Sequence, residues 1–181
     1  MRVEIRDLSA ENIDDQVNIC VSQLHLRQAK TLAEGNLRKK MWIEKALDIF
    51  GSCAKIAYAD NEPAGFVEFY PAQMFPILRH TLKDRKTIMI MCVFVRREYQ
   101  GRGIGSKLVQ ALIEDLKQRR IPYFGNKTAD EIAIGSWGSH AGFPEAQPRF
   151  RKFFFKNGFI EAPDFPDPTG KGGILVCGLA R

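Results

Sequence analysis

The chain has 181 residues, of which 45% are hydrophobic and 27% charged, with a formal net charge of +6. This composition is typical of one globular domain and excludes a disordered or low-complexity protein. The longest apolar run, Ile88–Val95, is far shorter than the roughly 20 residues that span a bilayer. The start, MRVEIRDLSAEN, has no apolar stretch of signal-peptide length, so we expect a cytoplasmic protein with no membrane partner.

The first elements in chain order are a strand, two helices and a hairpin. Val3–Leu8 alternates apolar and polar residues, which predicts a strand. Ser9 can cap a first helix, and a second helix opens at Asn36 and ends at Gly51, a residue type that suits a helix C-terminus. The segments CAKIAYA and AGFVEFY predict two strands, and the turn sequence DNEP between them indicates an antiparallel hairpin.

The second half of the chain begins with Ile88–Val95, which is apolar at every position and predicts a central strand buried on both faces. A helix follows, with one apolar stripe formed by Ile104, Leu108, Leu112 and Leu116. EIAIGSW predicts another strand, PRFRKFFFKNGF a short helix that stops at Gly158, and FIEA and GILVCGL two closing strands. This order predicts an α/β fold with a mixed, mostly antiparallel central sheet of about seven strands and about four helices. We expect a single domain over residues 1–181.

Charge and cysteine spacing argue against two classes of site. The basic clusters LRKKMW and KQRR fall on predicted helices, where a solvated polar face explains them. No ladder of alternating basic and aromatic residues supports nucleic-acid recognition. The four cysteines are scattered without metal-ligand spacing, so we expect no metal site.

Three glycines separate the central strand from the helix that follows: Gly101, Gly103 and Gly105. A nucleotide P-loop is excluded because its lysine must follow a glycine, and here it follows Ser106. A dinucleotide fingerprint is excluded because Ser106 occupies the position of its third glycine. The pattern that remains is Q-x-x-G-x-G, beginning at Gln100.

An anion fits this segment on physical grounds. A helix start leaves about four backbone N–H groups without partners and has the equivalent of roughly half a positive charge. Glycines let a diphosphate approach the backbone, Arg102 adds a fixed charge and Ser106 a hydroxyl donor. The alternative is a glycine-rich turn that serves only tight helix–strand packing.

The segment VFVRREYQGRGIGSKLVQALIEDL resembles the acyl-CoA signature of the GNAT superfamily of N-acetyltransferases, and FFFKNGF resembles its second landmark. The resemblance implies a GNAT-like fold and acetyl-CoA as co-substrate. It implies that the backbone of Phe94 and Val95 pairs with the pantetheine arm. It further implies that the pyrophosphate is bound by the loop residues Gln100, Gly101, Arg102, Gly103, Ile104, Gly105 and Ser106. The acetyl group then passes directly to an amine, without a covalent enzyme intermediate.

Two residues are candidates for the base that takes the proton of the amine. Glu68 lies among apolar neighbours in FVEFY, a setting that suits a base; the alternative is that strand alternation points it to solvent. His140 lies on a loop and has a side chain of suitable type, although a surface histidine without a role is the alternative.

The chain departs from the family at the residue that protonates the departing thiolate. Alignment on Gly158 and Phe159 places Phe154 where many members have a tyrosine, and phenylalanine cannot give a proton. Whether another acid replaces that tyrosine stays open. The function that the resemblance favours is acetylation of an unidentified primary amine. Because the tyrosine is missing, the alternative is an acyl-CoA-binding sensor or scaffold with little or no catalysis. Acyl-chain preference and homodimer formation through edge strands also stay open.

Overall fold

A computed structural model describes residues 1–19, 30–80, 82–135, 147–165 and 173–179 of the chain. Its strands are β1 Val3–Asp7, β2 Ala54–Ala59, β3 Glu62–Pro71, β4 Thr87–Val95, β5 Glu131–Ile134, β6 Ile160–Glu161 and β7 Leu175–Gly178. Its helices are α1 Ile13–Ile19, α2 Leu32–Phe50, α3 Pro76–Arg79, α4 Ile104–Leu116 and α5 Gln147–Lys156. The seven strands form one sheet in the order β1-β2-β3-β4-β5-β7-β6.

The predicted fold class is confirmed. The pair β4–β5 is parallel, whereas β1–β2, β2–β3, β5–β7 and β6–β7 are antiparallel, so the sheet is mixed and β4 is its central strand. Four of the described helices are longer than one turn, and α3 is a single turn. The helix α4 buries the four residues of its predicted apolar stripe, Ile104, Leu108, Leu112 and Leu116.

The residues group into two compact units. The first unit comprises Met1–Glu68 and Val93–Ala111, and the second comprises Phe69–Cys92 and Leu112–Arg181. The single domain over residues 1–181 stays a prediction. None of the helices in the described part of the chain is both long enough and apolar enough to cross a membrane.

Helix α2 begins four residues before the predicted start at Asn36. Thr31 is its N-cap, and the Oγ1 of Thr31 accepts a hydrogen bond from the backbone N–H of Glu34 at 3.1 Å. The carboxylate of Glu34 in turn accepts from the backbone N–H of Lys30 at 2.8 Å. The bond from Glu34 satisfies an N–H group that the first turn leaves without a partner inside the helix, and the bond from Lys30 fixes the residue before the cap, which together explain the earlier start. The predicted end is confirmed, because Gly51 has a φ of 83° and its N–H donates to the carbonyl oxygen of Leu47.

The first unit also contains the predicted hairpin of β2 and β3. Asp60 and Asn61 form its turn with φ values of 48° and 71°, a conformation that these residue types tolerate. Helices α1 and α2 pack against each other. Their buried apolar residues include Ile13 and Val17 from α1 and Ile43, Ala46 and Phe50 from α2.

The second unit has its own apolar core. The segment after β3 turns through a short 3₁₀ helix, Ala72–Met74, and then through α3. The core cluster combines residues of this segment with residues of β4, β5 and the C-terminal part: Ala72, Leu78, Leu82, Met89, Ala133, Phe165 and Ile174. Helix α5 ends before Gly158, as predicted, and Gly158 has a φ of 89°.

Candidate active site

Strand β4 changes from buried to partly exposed along its length. Thr87–Ile90 is buried, whereas Met91–Val95 is half-buried or exposed. The expectation that Ile88–Val95 is buried on both faces is therefore wrong for the second half of the strand. The reason is that β5 has four residues against nine in β4, and the described parallel register covers only Thr87–Met89.

Strand β3 holds the exposed end of β4 at close range. The backbone N–H of Arg96 donates to the carbonyl oxygen of Ala64 at 2.9 Å. A Cβ placed on Gly65 would lie 2.5 Å from the carbonyl oxygen of Phe94 and 3.0 Å from the Cα of Val95. Because both neighbouring atoms belong to the backbone, only glycine allows the two strands to approach this closely.

The backbone of Val95 faces the other edge of β4. Successive residues of a strand direct their N–H and C=O groups to alternate edges, so the bond of Arg96 to β3 points Val95 away from β3. On that side the side-chain amide of Gln100 donates to the carbonyl oxygen of Val95 at 2.9 Å. An extended chain that contains amide groups can pair with such an edge.

The loop after β4 leads directly into α4. A 3₁₀ turn, Arg97–Tyr99, is followed by Gly101 with a φ of 75° and Gly103 with a φ of 77°. Both values lie in the left-handed region, where a side chain is strained. A Cβ on either glycine would meet nothing within 4 Å, so the space beside both residues is open.

The start of α4 has the properties of an anion site. The N–H of Lys107 donates to the carbonyl oxygen of Gly103 at 3.0 Å, which makes Gly103 the cap of the helix. Helical geometry then directs the N–H groups of the first turn out of this end of the helix. The first turn contains no acidic residue, and Arg102 and Lys107 are exposed. Open space, helix-start amides and nearby cations together fit a diphosphate.

Glu68 lies in the interior. Its side chain is 9% exposed, and its Oε2 accepts hydrogen bonds from the Nε2 of Gln16 at 2.9 Å and the Nζ of Lys39 at 3.0 Å. The interpretation that alternation points Glu68 to solvent is therefore wrong. Every residue of β3 from Ala64 to Pro71 is buried, so both faces of this strand are covered and alternation does not indicate exposure.

A short series of contacts connects this buried cluster with the exposed end of β4. The Nζ of Lys39 lies 5.1 Å from the centre of the Phe66 ring, a cation–π distance. The ring of Phe66 in turn lies 6.1 Å from the ring of Phe94, which is 36% exposed. Because Glu68 follows Phe66 by two residues along β3, both side chains project from the same face of that strand.

Sequence reasoning missed Gln16 and Lys39, although the helix periodicity contained a signal for both. Lys39 shares the spacing of the buried residues Gly35 and Ile43 on α2, and Gln16 lies beside the buried Val17 on α1. A polar residue at a buried helical position needs a hydrogen-bond partner. That requirement could have indicated a buried acidic partner such as Glu68.

The remaining predicted residues are placed as follows. His140 lies outside the described residues. Phe154 is 1% exposed and packs against the rings of Phe150, Phe153 and Phe159, so it serves the core of the second unit. Within the described ranges, no three His, Cys, Asp or Glu side chains come together as ligands for a metal ion.

The sequence was compared with models of known protein families and with curated proteins. The sequence model of the acetyltransferase (GNAT) family matches residues 22–143, about two-thirds of the chain. A comparison with curated proteins found no match.

Solved structures resemble the whole chain. The PaiA N-acetyltransferase from Thermoplasma acidophilum, in complex with coenzyme A, has a TM-score of 0.60 at 17% identity, over 98% of this chain and 99% of that chain. The ribosomal-protein-S18-alanine N-acetyltransferase from Escherichia coli has a TM-score of 0.59 at 13% identity, over 99% and 96%. The N-acetylglutamate synthase from Neisseria gonorrhoeae, complexed with coenzyme A and N-acetyl-glutamate, has a TM-score of 0.59 at 16% identity, over 100% of this chain and 36% of that chain. At these identities the structures show a shared fold, and together with the family match they lead to one conclusion: this chain belongs to the GNAT family of acetyltransferases.

Proposed function

We propose that this chain transfers the acetyl group of acetyl-CoA to a primary amine by direct attack, with both substrates bound at once. The observation that carries the proposal is the loop at the start of α4. Gly101 and Gly103 adopt left-handed conformations there and leave open space beside helix-start amides. Family membership and the coenzyme A in two structures of the same fold support the same ligand.

The coenzyme is assigned to two neighbouring parts of the first unit. The backbone of Val95, which faces away from β3, pairs with the pantetheine arm, whereas the backbone of Phe94 points toward β3, so Phe94 contributes its partly exposed side chain. The diphosphate lies on the loop residues Gln100, Gly101, Arg102, Gly103, Ile104, Gly105 and Ser106. Here the helix start supplies amide donors and a favourable dipole, and Arg102 supplies a positive charge.

The chemistry requires little beyond positioning and proton transfer. Bound acetyl-CoA supplies an acyl group that its thioester already activates toward amines. The protein orients the amine, excludes water and takes a proton from the attacking nitrogen. We assign the proton to Glu68, because its carboxylate is buried on the strand beside β4 and two residues from Phe66. His140 is the second candidate for this role.

The acceptor is a primary amine whose structure the fold does not specify. Proteins of this fold are named for different substrates or products, an alanine of ribosomal protein S18 in one case and N-acetylglutamate in another. Because one fold supports many acceptors, the amine must be found by assay. A useful panel contains free amino acids, peptide N-termini, polyamines and small alkyl amines.

The second candidate function is an acyl-CoA-binding module with little or no catalysis. Phe154 favours it, because the residue that often protonates the thiolate in this family is here a buried phenylalanine without a hydroxyl. Binding of acetyl-CoA is common to both candidates, so binding alone cannot separate them.

Turnover separates the two candidates. The protein is incubated with acetyl-CoA and each amine of the panel, and both free coenzyme A and the acetylated amine are quantified. Equal amounts of the two products, lost in the Gly103→Glu variant, are expected for an acetyltransferase. Tight binding of acetyl-CoA without product for any amine would favour the binding module.

A further inference from the structure

The side chain of Gln100 makes a contact that the proposed function does not use. The diphosphate assignment draws on backbone N–H groups of the loop, whereas the Nε2 of Gln100 donates to the carbonyl oxygen of Val95 at 2.9 Å. That distance is typical of a well-formed N–H···O bond. Gln100 therefore reaches back five residues along the chain, from the coenzyme loop to the strand that precedes it.

This carbonyl group lies where the pantetheine arm is assigned. The backbone N–H of Arg96 donates to Ala64 on β3, so the carbonyl of Val95 points to the opposite edge of β4. The described pairing of β4 with β5 ends at Met89, six residues earlier, so this register brings no strand donor to Val95. The amide of Gln100 and an N–H group of an added extended chain must therefore approach the same oxygen from the same open side.

We propose that Gln100 is an internal substitute for the pantetheine amide. Its side chain holds the carbonyl of Val95 in the free protein and is displaced when the coenzyme pairs with β4. An open strand edge exposes backbone groups that other chains can join, and the amide of Gln100 satisfies one of these groups until the coenzyme arrives. This inference rests on the proposed binding of acetyl-CoA and identifies a residue that sets the affinity of that site.

Displacement makes coenzyme binding an exchange of one hydrogen bond for another. The N–H of a pantetheine amide replaces the N–H of Gln100 at the same oxygen, and the released side chain returns to water, because Gln100 is exposed. The coenzyme binds only those molecules whose carbonyl is free, so its apparent affinity is lower by that fraction. A hydrogen bond of ordinary net strength corresponds to a roughly two- to ten-fold loss of affinity. A ligand that has the same diphosphate but no pantetheine arm is unaffected.

The first test compares the Kd values of two ligands for the wild type and for Gln100→Met, a substitution that retains an unbranched side chain and removes its N–H donor. The ligands are coenzyme A and 3′-phospho-ADP, the nucleotide part of coenzyme A without pantetheine. We expect Gln100→Met to bind coenzyme A roughly two- to ten-fold more tightly and 3′-phospho-ADP with wild-type affinity. An unchanged or weaker affinity for coenzyme A, or an equal gain for both ligands, would overturn the inference.

The matched control is Gln110→Met, which makes the same substitution at an exposed glutamine of α4 in the same unit. We expect this variant to bind both ligands with wild-type affinity. A gain for coenzyme A as large as that of Gln100→Met would assign the effect to the added apolar surface and would refute the inference.

The second test locates the side chain directly, in crystal structures of the wild type alone and with coenzyme A. In the free protein we expect the bond from Gln100 to Val95. In the complex we expect a pantetheine nitrogen about 2.7–3.2 Å from the carbonyl oxygen of Val95 and the Nε2 of Gln100 beyond about 3.5 Å. A complex in which Gln100 keeps its bond would overturn the inference and leave the proposed function intact. If neither the wild type nor Gln100→Met bound coenzyme A, the proposed function would fail together with the inference.

Discussion

The substitution Gly65→Ala tests how closely β3 must approach the coenzyme strand. The added Cβ would lie 2.5 Å from the carbonyl oxygen of Phe94, whereas ordinary contact begins at 3.4 Å. The strands would therefore separate by about 0.9 Å at this point. Such a shift stretches the 2.9 Å hydrogen bond between Arg96 and Ala64 beyond its useful range.

The expected cost combines two effects. Overpacking against backbone costs about 1–3 kcal/mol, and a lost strand hydrogen bond costs about 1 kcal/mol. We therefore expect Gly65→Ala to lower the free energy of unfolding by roughly 2–4 kcal/mol. Because Phe94 and Val95 move with the strand, the affinity for acetyl-CoA should fall as well.

Denaturant unfolding measures the free energy of unfolding, and titration calorimetry measures the affinity for acetyl-CoA. The matched control is Gly178→Ala, since a Cβ on this strand glycine meets nothing within 4 Å. We expect the control to retain wild-type stability and affinity. A surface substitution typically changes the free energy of unfolding by no more than about 0.5 kcal/mol. A change that small in Gly65→Ala would refute the close approach of β3 to β4.

Two further predictions concern buried polar groups of the first unit. Lys39→Met leaves the carboxylate of Glu68 buried without its counter-charge and should lower the free energy of unfolding by about 3–5 kcal/mol. Adding Glu68→Leu to this variant should recover part of that loss. If the effects of the two substitutions on denaturant unfolding were simply additive, the ion pair would be contradicted. Burial, together with the hydrogen bond to Asp15, raises the pKa of Tyr58 from 10.0 to about 12. The folded state thus holds the phenolic proton more tightly than the unfolded chain, so this contribution to stability is complete below pH 10 and lost as the pH rises towards 12. An ultraviolet difference titration between the wild type and Tyr58→Phe should show the ionisation of Tyr58 at this high pH. The substitution Asp15→Asn should shift that ionisation to lower pH. Ionisation near pH 10 in the wild type would contradict the burial of Tyr58 and its hydrogen bond to Asp15.

Local signals in the sequence were sufficient for most of the fold. The apolar stripe of α4, the turn at Asp60 and Asn61 and the helix end at Gly51 each depend on residues close together in the chain. The predicted start of α2 at Asn36 is too late because it leaves out the cap formed by Thr31 and Glu34, whose spacing in the sequence is that of a capping box.

The candidate site also has one part that the local sequence predicts and one part that depends on distant residues. The loop at Gly101 and Gly103 is a local motif, and its left-handed glycines and open space agree with a coenzyme loop. The environment of Glu68 depends instead on Gln16 and Lys39, which lie 52 and 29 residues away in the chain. No periodicity within β3 reports such partners, because helices from elsewhere in the chain cover the strand.

The most direct test of the account is the thermal shift produced by acetyl-CoA in three proteins: wild type, Gly103→Glu and Gly125→Glu. Gly103 and Gly125 have φ values of 77° and 64°, and a Cβ on either meets nothing within 4 Å, so both variants carry the same kind of backbone strain. Only the first places a carboxylate at the start of α4. Saturating acetyl-CoA should raise the melting temperature of the wild type and of Gly125→Glu by several degrees and leave Gly103→Glu unchanged. An equal rise in all three proteins would contradict the assignment of the diphosphate to this helix start.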